Sequence, residues 1–116
     1  MAKQIIGAQG EITIIKLDAM PNGIATQPAE RCAMGWIISH SESGHHHVLT
    51  GGEAWEAIGN APAGLKVLYA LLDQPQSLIQ DADIPHEGYD LAPGIYCFRI
   101  AREYDPFAKR NRPAKD

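Results

Sequence analysis

Eleven glycines and eight prolines are spread along this chain of 116 residues and cut it into short pieces. Both residue types punctuate regular structure, so little room is left for a long helix. The pieces between them are rich in β-branched and aromatic residues and read as strands bounded by turns. The expected fold is all-β. It is a small single-domain barrel or sandwich of about six to eight short strands.

Glu11–Asp18 is apolar on both faces and should lie centrally in a sheet. In Arg31–His40, residues Cys32, Met34, Trp36 and Ile38 share one face under strand periodicity. His45–Thr50 follows the Ser41–Gly44 turn as a hairpin partner. Glu53–Ile58 is too short for a stable helix and stays ambiguous. Leu65–Leu72 has strand length and an unbroken apolar run, which points to a buried strand. Ser77–Gln80 is a further short strand. Ile95–Tyr104 alternates, with Tyr96, Phe98 and Ile100 on one face and Cys97, Arg99 and Glu103 on the other. Pro21–Pro28 reads as a loop.

Residues 1–104 are expected to form the single β domain, followed by a basic, flexible tail over residues 105–116. Lys109, Arg110, Arg112 and Lys115 face only Asp105 and Asp116 there, a net charge of +2. The whole chain carries −4, so residues 1–104 carry −6. A nucleic-acid partner is therefore not expected, since such binding needs an electropositive surface. A chain of this size buries a core without staples, so a bound metal need not be structural. Cys32 and Cys97 lie in apolar runs, outside any C-x-x-C pair. They read as buried thiols of a reducing compartment, with a disulfide between adjacent strands as the rival reading. Met1–Gly7 lacks the apolar stretch of a secretory signal. No apolar run nears the roughly 20 residues that span a bilayer. The expected location is the cytoplasm, with no membrane contact.

Four of the five histidines fall between positions 40 and 47. On a strand His45 and His47 would project from one face, about 6.6 Å apart, and His46 from the other. Two such imidazoles can converge on a metal at about 2.0–2.1 Å from each nitrogen. His86 is the leading third ligand, Glu87 a supporting carboxylate or additional ligand, and His40 a weaker alternative. Three histidines would leave an open position for water or substrate, as in catalytic zinc sites. Ligand type alone leaves zinc, iron or another divalent ion open.

The same histidines could instead work without a metal as general acid and base. Arg99 or Arg102 would then hold an anionic small molecule. Arg99 interrupts an apolar strand, and burial would oblige it to find a partner such as Glu103. Trp36 and Trp55 suit a core or an interface. Gly51-Gly52-Glu53 lacks the Gly-Lys-Ser/Thr of a phosphate loop.

Ser43-Gly44-His45-His46-His47 and His86-Glu87, followed by Leu91-Ala92-Pro93-Gly94-Ile95-Tyr96 and Arg102-Glu103-Tyr104, resemble segments of a group of short bacterial and phage-associated proteins. The resemblance spans roughly residues 33–105 and supplies no activity. It implies that His45, His47, His86, Arg102 and Tyr104 form one constellation, the candidate catalytic set. At Tyr89 the group commonly has a second histidine, so a His-Glu-x-His half-site is not expected here. Gly44–His47 is also faintly similar to the His-x-His segment of cupins. Glu53 follows too late and no histidine follows Gly94, so that likeness stays at the level of fold.

Three functions compete on this reading. The first is a histidine-lined metal- or small-ligand-binding site, with hydrolysis as one reaction open to it. The second is a non-catalytic phage or host-regulatory module that captures a protein partner through a strand edge or the basic tail. The third is a structural homo-oligomer whose apolar strands pack between subunits.

Overall fold

Alternation of apolar residues builds most of the strands, and glycine and proline end them. The computed structural model describes residues 3–40, 46–58, 65–80 and 88–101. They form eleven strands: β1 (Lys3–Gln9), β2 (Ile12–Leu17), β3 (Thr26–Pro28), β4 (Glu30–Cys32), β5 (Gly35–Ser39), β6 (His47–Leu49), β7 (Glu53–Ala57), β8 (Leu65–Leu72), β9 (Gln76–Gln80), β10 (Tyr89–Leu91) and β11 (Gly94–Ala101). One sheet has the order β1-β2-β11-β8-β7-β3 and the other β10-β9-β6-β5-β4. Every pairing is antiparallel. The fold is therefore all-β and sandwich-like. No helix of the described residues is long and apolar enough to cross a membrane.

The strand count exceeds the expected six to eight because the chain switches sheets at tight corners. Buried Ala29 alone separates β3 from β4, and its amide bonds the Ala54 carbonyl at 3.0 Å. Part of the stretch expected as a loop is thus β3. Arg31–His40 is not one strand but a hairpin, with Cys32 opposite Gly35 across Ala33-Met34. This removes the four-residue face expected of Cys32, Met34, Trp36 and Ile38. Glu53–Ala57 resolves as a strand because it pairs with both β3 and β8. Leu65–Leu72 and the first part of Ile95–Tyr104 are strands as expected. β2 lies between β1 and β11, the central place its two apolar faces required.

The core lies between the sheets. Ile12, Ile14, Leu68, Tyr96, Phe98 and Ile100 of the larger sheet meet Ile38, Leu49, Leu78 and Leu91 of the smaller. Tyr96 is fully buried and donates its hydroxyl to the Ala92 carbonyl at 2.6 Å, holding the corner before β11. Trp36 packs against this core, donates its indole N–H to the Gly52 carbonyl at 2.9 Å, and carries the Arg31 guanidinium 4.4 Å above its ring. A second apolar cluster of Ile15, Leu17, Val67 and Cys97 occupies the outer face of the larger sheet. Cys32 and Cys97 are both free thiols.

One end of the sandwich gathers the segments that matter for function. Ser39 pairs with His47, and His47 with Gln80. Ala101 pairs with Leu65, and its amide bonds the Glu11 carbonyl at 3.3 Å. These positions flank segments 41–45, 59–64, 81–87 and 102–116. The described residues that border all four therefore stand at the same end.

Candidate functional site

The site is built on the β1–β2 hairpin and the facing strands β5 and β6. Gln9 opposes Ile12 across Gly10-Glu11. Gly10 has φ +58° and Glu11 does not have positive φ, which is the pattern of a type II′ turn led by glycine. The turn seats Gly10 against His47: a Cβ there would lie 3.4 Å from the imidazole.

His47 is 4% exposed, so its polar atoms need partners. Gln9 Nε2 donates to the Leu78 carbonyl at 2.9 Å, which fixes the orientation of the amide. Its Oε1 must then face His47 Nδ1, 2.7 Å away, and only accepts. Nδ1 is therefore the protonated nitrogen, and in the neutral ring Nε2 keeps its lone pair. Nε2 lies 3.8 Å from Glu11 Oε1. The other oxygen of Glu11 accepts a 2.5 Å hydrogen bond from Ser39 Oγ. Burial pushes the His47 pKa down, and the Glu11 charge pulls it partly back up. A neutral imidazole and a carboxylate thus face each other with their acceptor atoms.

A second group stands nearby: Glu30 of β4, His40 just after β5 and His46 just before β6. His40 Nε2 donates to Glu30 Oε1 at 2.7 Å on the exposed surface. That bond, and the charge of His40, hold the Glu30 carboxyl below its usual range. The His46 ring meets His40 edge-on at 4.4 Å, and its Nδ1 is buried with no hydrogen-bond partner among the described residues.

A family model for a domain of unknown function, DUF8820, matches residues 8–101. The chain belongs to the DUF8820 family. Neither a search of curated proteins nor a search of solved structures returned a match.

Of the residues expected to act, this DUF8820 domain shows His47 inside the end of the sandwich and the weaker candidate His40 at the exposed surface, in ring contact with His46. His45, His86, Glu87, Arg102 and Tyr104 lie outside the described residues. The described flanks of their segments all stand at the histidine end. Arg99 departs from expectation. It is exposed on the outer face of the larger sheet, between Thr13 and Val67, so no buried charge needs a partner. Its alternating position was readable, but that face is open to solvent there. Among the described residues no group of three or more His, Cys, Asp and Glu is arranged to hold a metal. His47 and Glu11 bring two donor atoms together, fewer than such a group needs.

Gln9, Glu11 and Ser39 were missed by sequence reasoning. None forms a motif with His47, and Glu11 and His47 are 36 positions apart. The one local sign was the Gly10-Glu11 turn, which places a carboxylate at a hairpin tip.

Proposed function

We propose that this domain binds a divalent metal, zinc or iron, at the histidine end of the sandwich, and uses it on a small-molecule ligand. The observation that carries the reading is the pair of unprotonated acceptors, His47 Nε2 and Glu11 Oε1, 3.8 Å apart. Two metal–ligand bonds of about 2.0–2.1 Å reach across that distance, and two lone pairs otherwise repel. Gln9 and Ser39 supply the supporting hydrogen bonds that orient such ligands. His45 and His86 are the proposed further ligands, with Glu87 in support. Arg102 and Tyr104 would hold the substrate, and the exposed Arg99 is a weaker anion contact. An incomplete coordination shell would activate water, so hydrolysis is the reaction to screen first. A bacterial or phage setting belongs to the same proposal, as does a cytoplasmic location, which the two free thiols support.

The test is metal content by elemental mass spectrometry on untagged protein purified without a nickel column. Near-stoichiometric zinc or iron is expected in the native chain. At least a tenfold loss is expected in both His47→Ala and Glu11→Gln. A native chain free of metal after growth in metal-replete medium rejects the reading. Full occupancy in both variants rejects these two residues as ligands.

A further inference from the structure

The outer face of the six-stranded sheet continues the core chemistry on a surface with no facing sheet among the described residues. Strand register arranges its side chains in rows. One row reads Lys3, Leu17, Ile95, Leu71, Glu53 from β1 to β7. The next reads Ile5, Ile15, Cys97, Tyr69, Trp55. Ile15, Leu17 and Cys97 are buried among their neighbours. Ile5 is 70% exposed and Leu71 43%, and Ile95, Tyr69 and Trp55 are half-buried. Lys3 and Glu53, at opposite ends of the first row, are both exposed.

We infer that this face is the interface of a homodimer, with a two-fold axis running roughly parallel to β11. Such an axis carries each row onto itself with its order reversed. Lys3 of one copy then meets Glu53 of the other, twice per dimer. Leu17 meets Leu71, Ile95 meets its own mate, Ile5 meets Trp55, and Ile15 meets Tyr69. The row is self-complementary in charge and apolar throughout its middle, as an isologous interface requires. The packing is that of two aligned sheets about 10 Å apart. Five strands about 4.8 Å apart and eight residues of about 3.3 Å give a face of roughly 600 Å² per copy. Two such faces bury about 1,200 Å², the lower bound for a specific stable interface. One like-charge contact opposes the arrangement: Arg99 meets its mate in the third row, at the histidine end, where it is exposed.

Sedimentation equilibrium of the untagged full-length chain tests this. A dimer with a micromolar dissociation constant is expected. Ile95→Glu should weaken it at least 100-fold. Lys3→Glu and Glu53→Lys should each weaken it about tenfold, because each places like charges opposite one another twice. The Lys3→Glu/Glu53→Lys double variant should return to within about threefold of the native value, which a merely structural role would not produce. Both charged positions are exposed, so these variants keep the fold. A native chain that stays monomeric to about 100 µM, well above the expected dissociation constant, overturns the inference and leaves residues 102–116 as the segment to test against this face. A dimer indifferent to Ile95→Glu, or one that the double swap fails to restore, also overturns it.

Discussion

His47 is a buried imidazole whose neutral form is favoured, and this sets the pH response of the fold. Burial lowers its folded pKa below the ordinary 6.5. The unfolded chain then takes up the proton first, so stability is full above pH 6.5 and falls as pH drops through the folded pKa. In chelator-treated protein the urea midpoint should decline from pH 7.5 to pH 5.5. In His47→Gln the part of that decline due to this group should disappear. An equal decline in both proteins would show that His47 does not carry it. Ser39 is a separate case. It is buried, and its hydroxyl satisfies one oxygen of Glu11. Ser39→Ala should cost about 1–3 kcal/mol in urea unfolding, the usual cost of stranding a part-buried partner.

At the scale of elements, the edge strand β1 is tied across the sandwich to β10. The Tyr89 hydroxyl donates to the Ile6 carbonyl, next to the register shift between Ile5 and Gly7. A Cβ on Gly7 would lie 2.1 Å from the Tyr89 hydroxyl oxygen and 2.4 Å from the ring carbon that bears it, so this glycine is required for close approach. Gly7→Ala should push the ring out and lose the tie, at about 1–3 kcal/mol. Thermal unfolding measures this, and Gly7→Ala in a Tyr89→Ala background should cost much less. Equal costs in the two backgrounds would disconnect Gly7 from Tyr89. The hairpin elements also explain where reading the sequence went astray. Ala33-Met34 has no strong turn residue, so the β4–β5 reversal was hidden inside an apolar run. Ala29 is an ordinary alanine at a corner that only the pairing of β3 with β7 and of β4 with β5 reveals.

For the whole molecule, the two sheets are held by one apolar layer, and Phe98 sits at its middle with no exposure. Phe98→Ala should destabilise by about 3–5 kcal/mol, a large share of the total stability of a small domain. The melting temperature should fall by more than about 10 °C. A shift under about 3 °C would mean that the layer repacks around the gap. At this scale the histidine end acquires its meaning, because strands distant in sequence bring their ends to one edge of the sandwich. β1, β2, β5, β6, β9 and β11 contribute there, from Gln9 to Ala101.

What the sequence determined alone was local: the all-β class, the central place of Glu11–Asp18, the strand at Leu65–Leu72, and the shared face of Tyr96, Phe98 and Ile100. Each follows from periodicity and turn chemistry within about ten residues. It also singled out His47. The tertiary structure decided the partners. Gln9 and Glu11 reach His47 only because two sheets stack with their ends aligned, and Ser39 stands beside it because β5 pairs with β6. Arg99 is exposed because no second layer of the described residues covers that part of its sheet. Contacts of this kind depend on which strands pair and which faces stack, and no spacing along the chain encodes them.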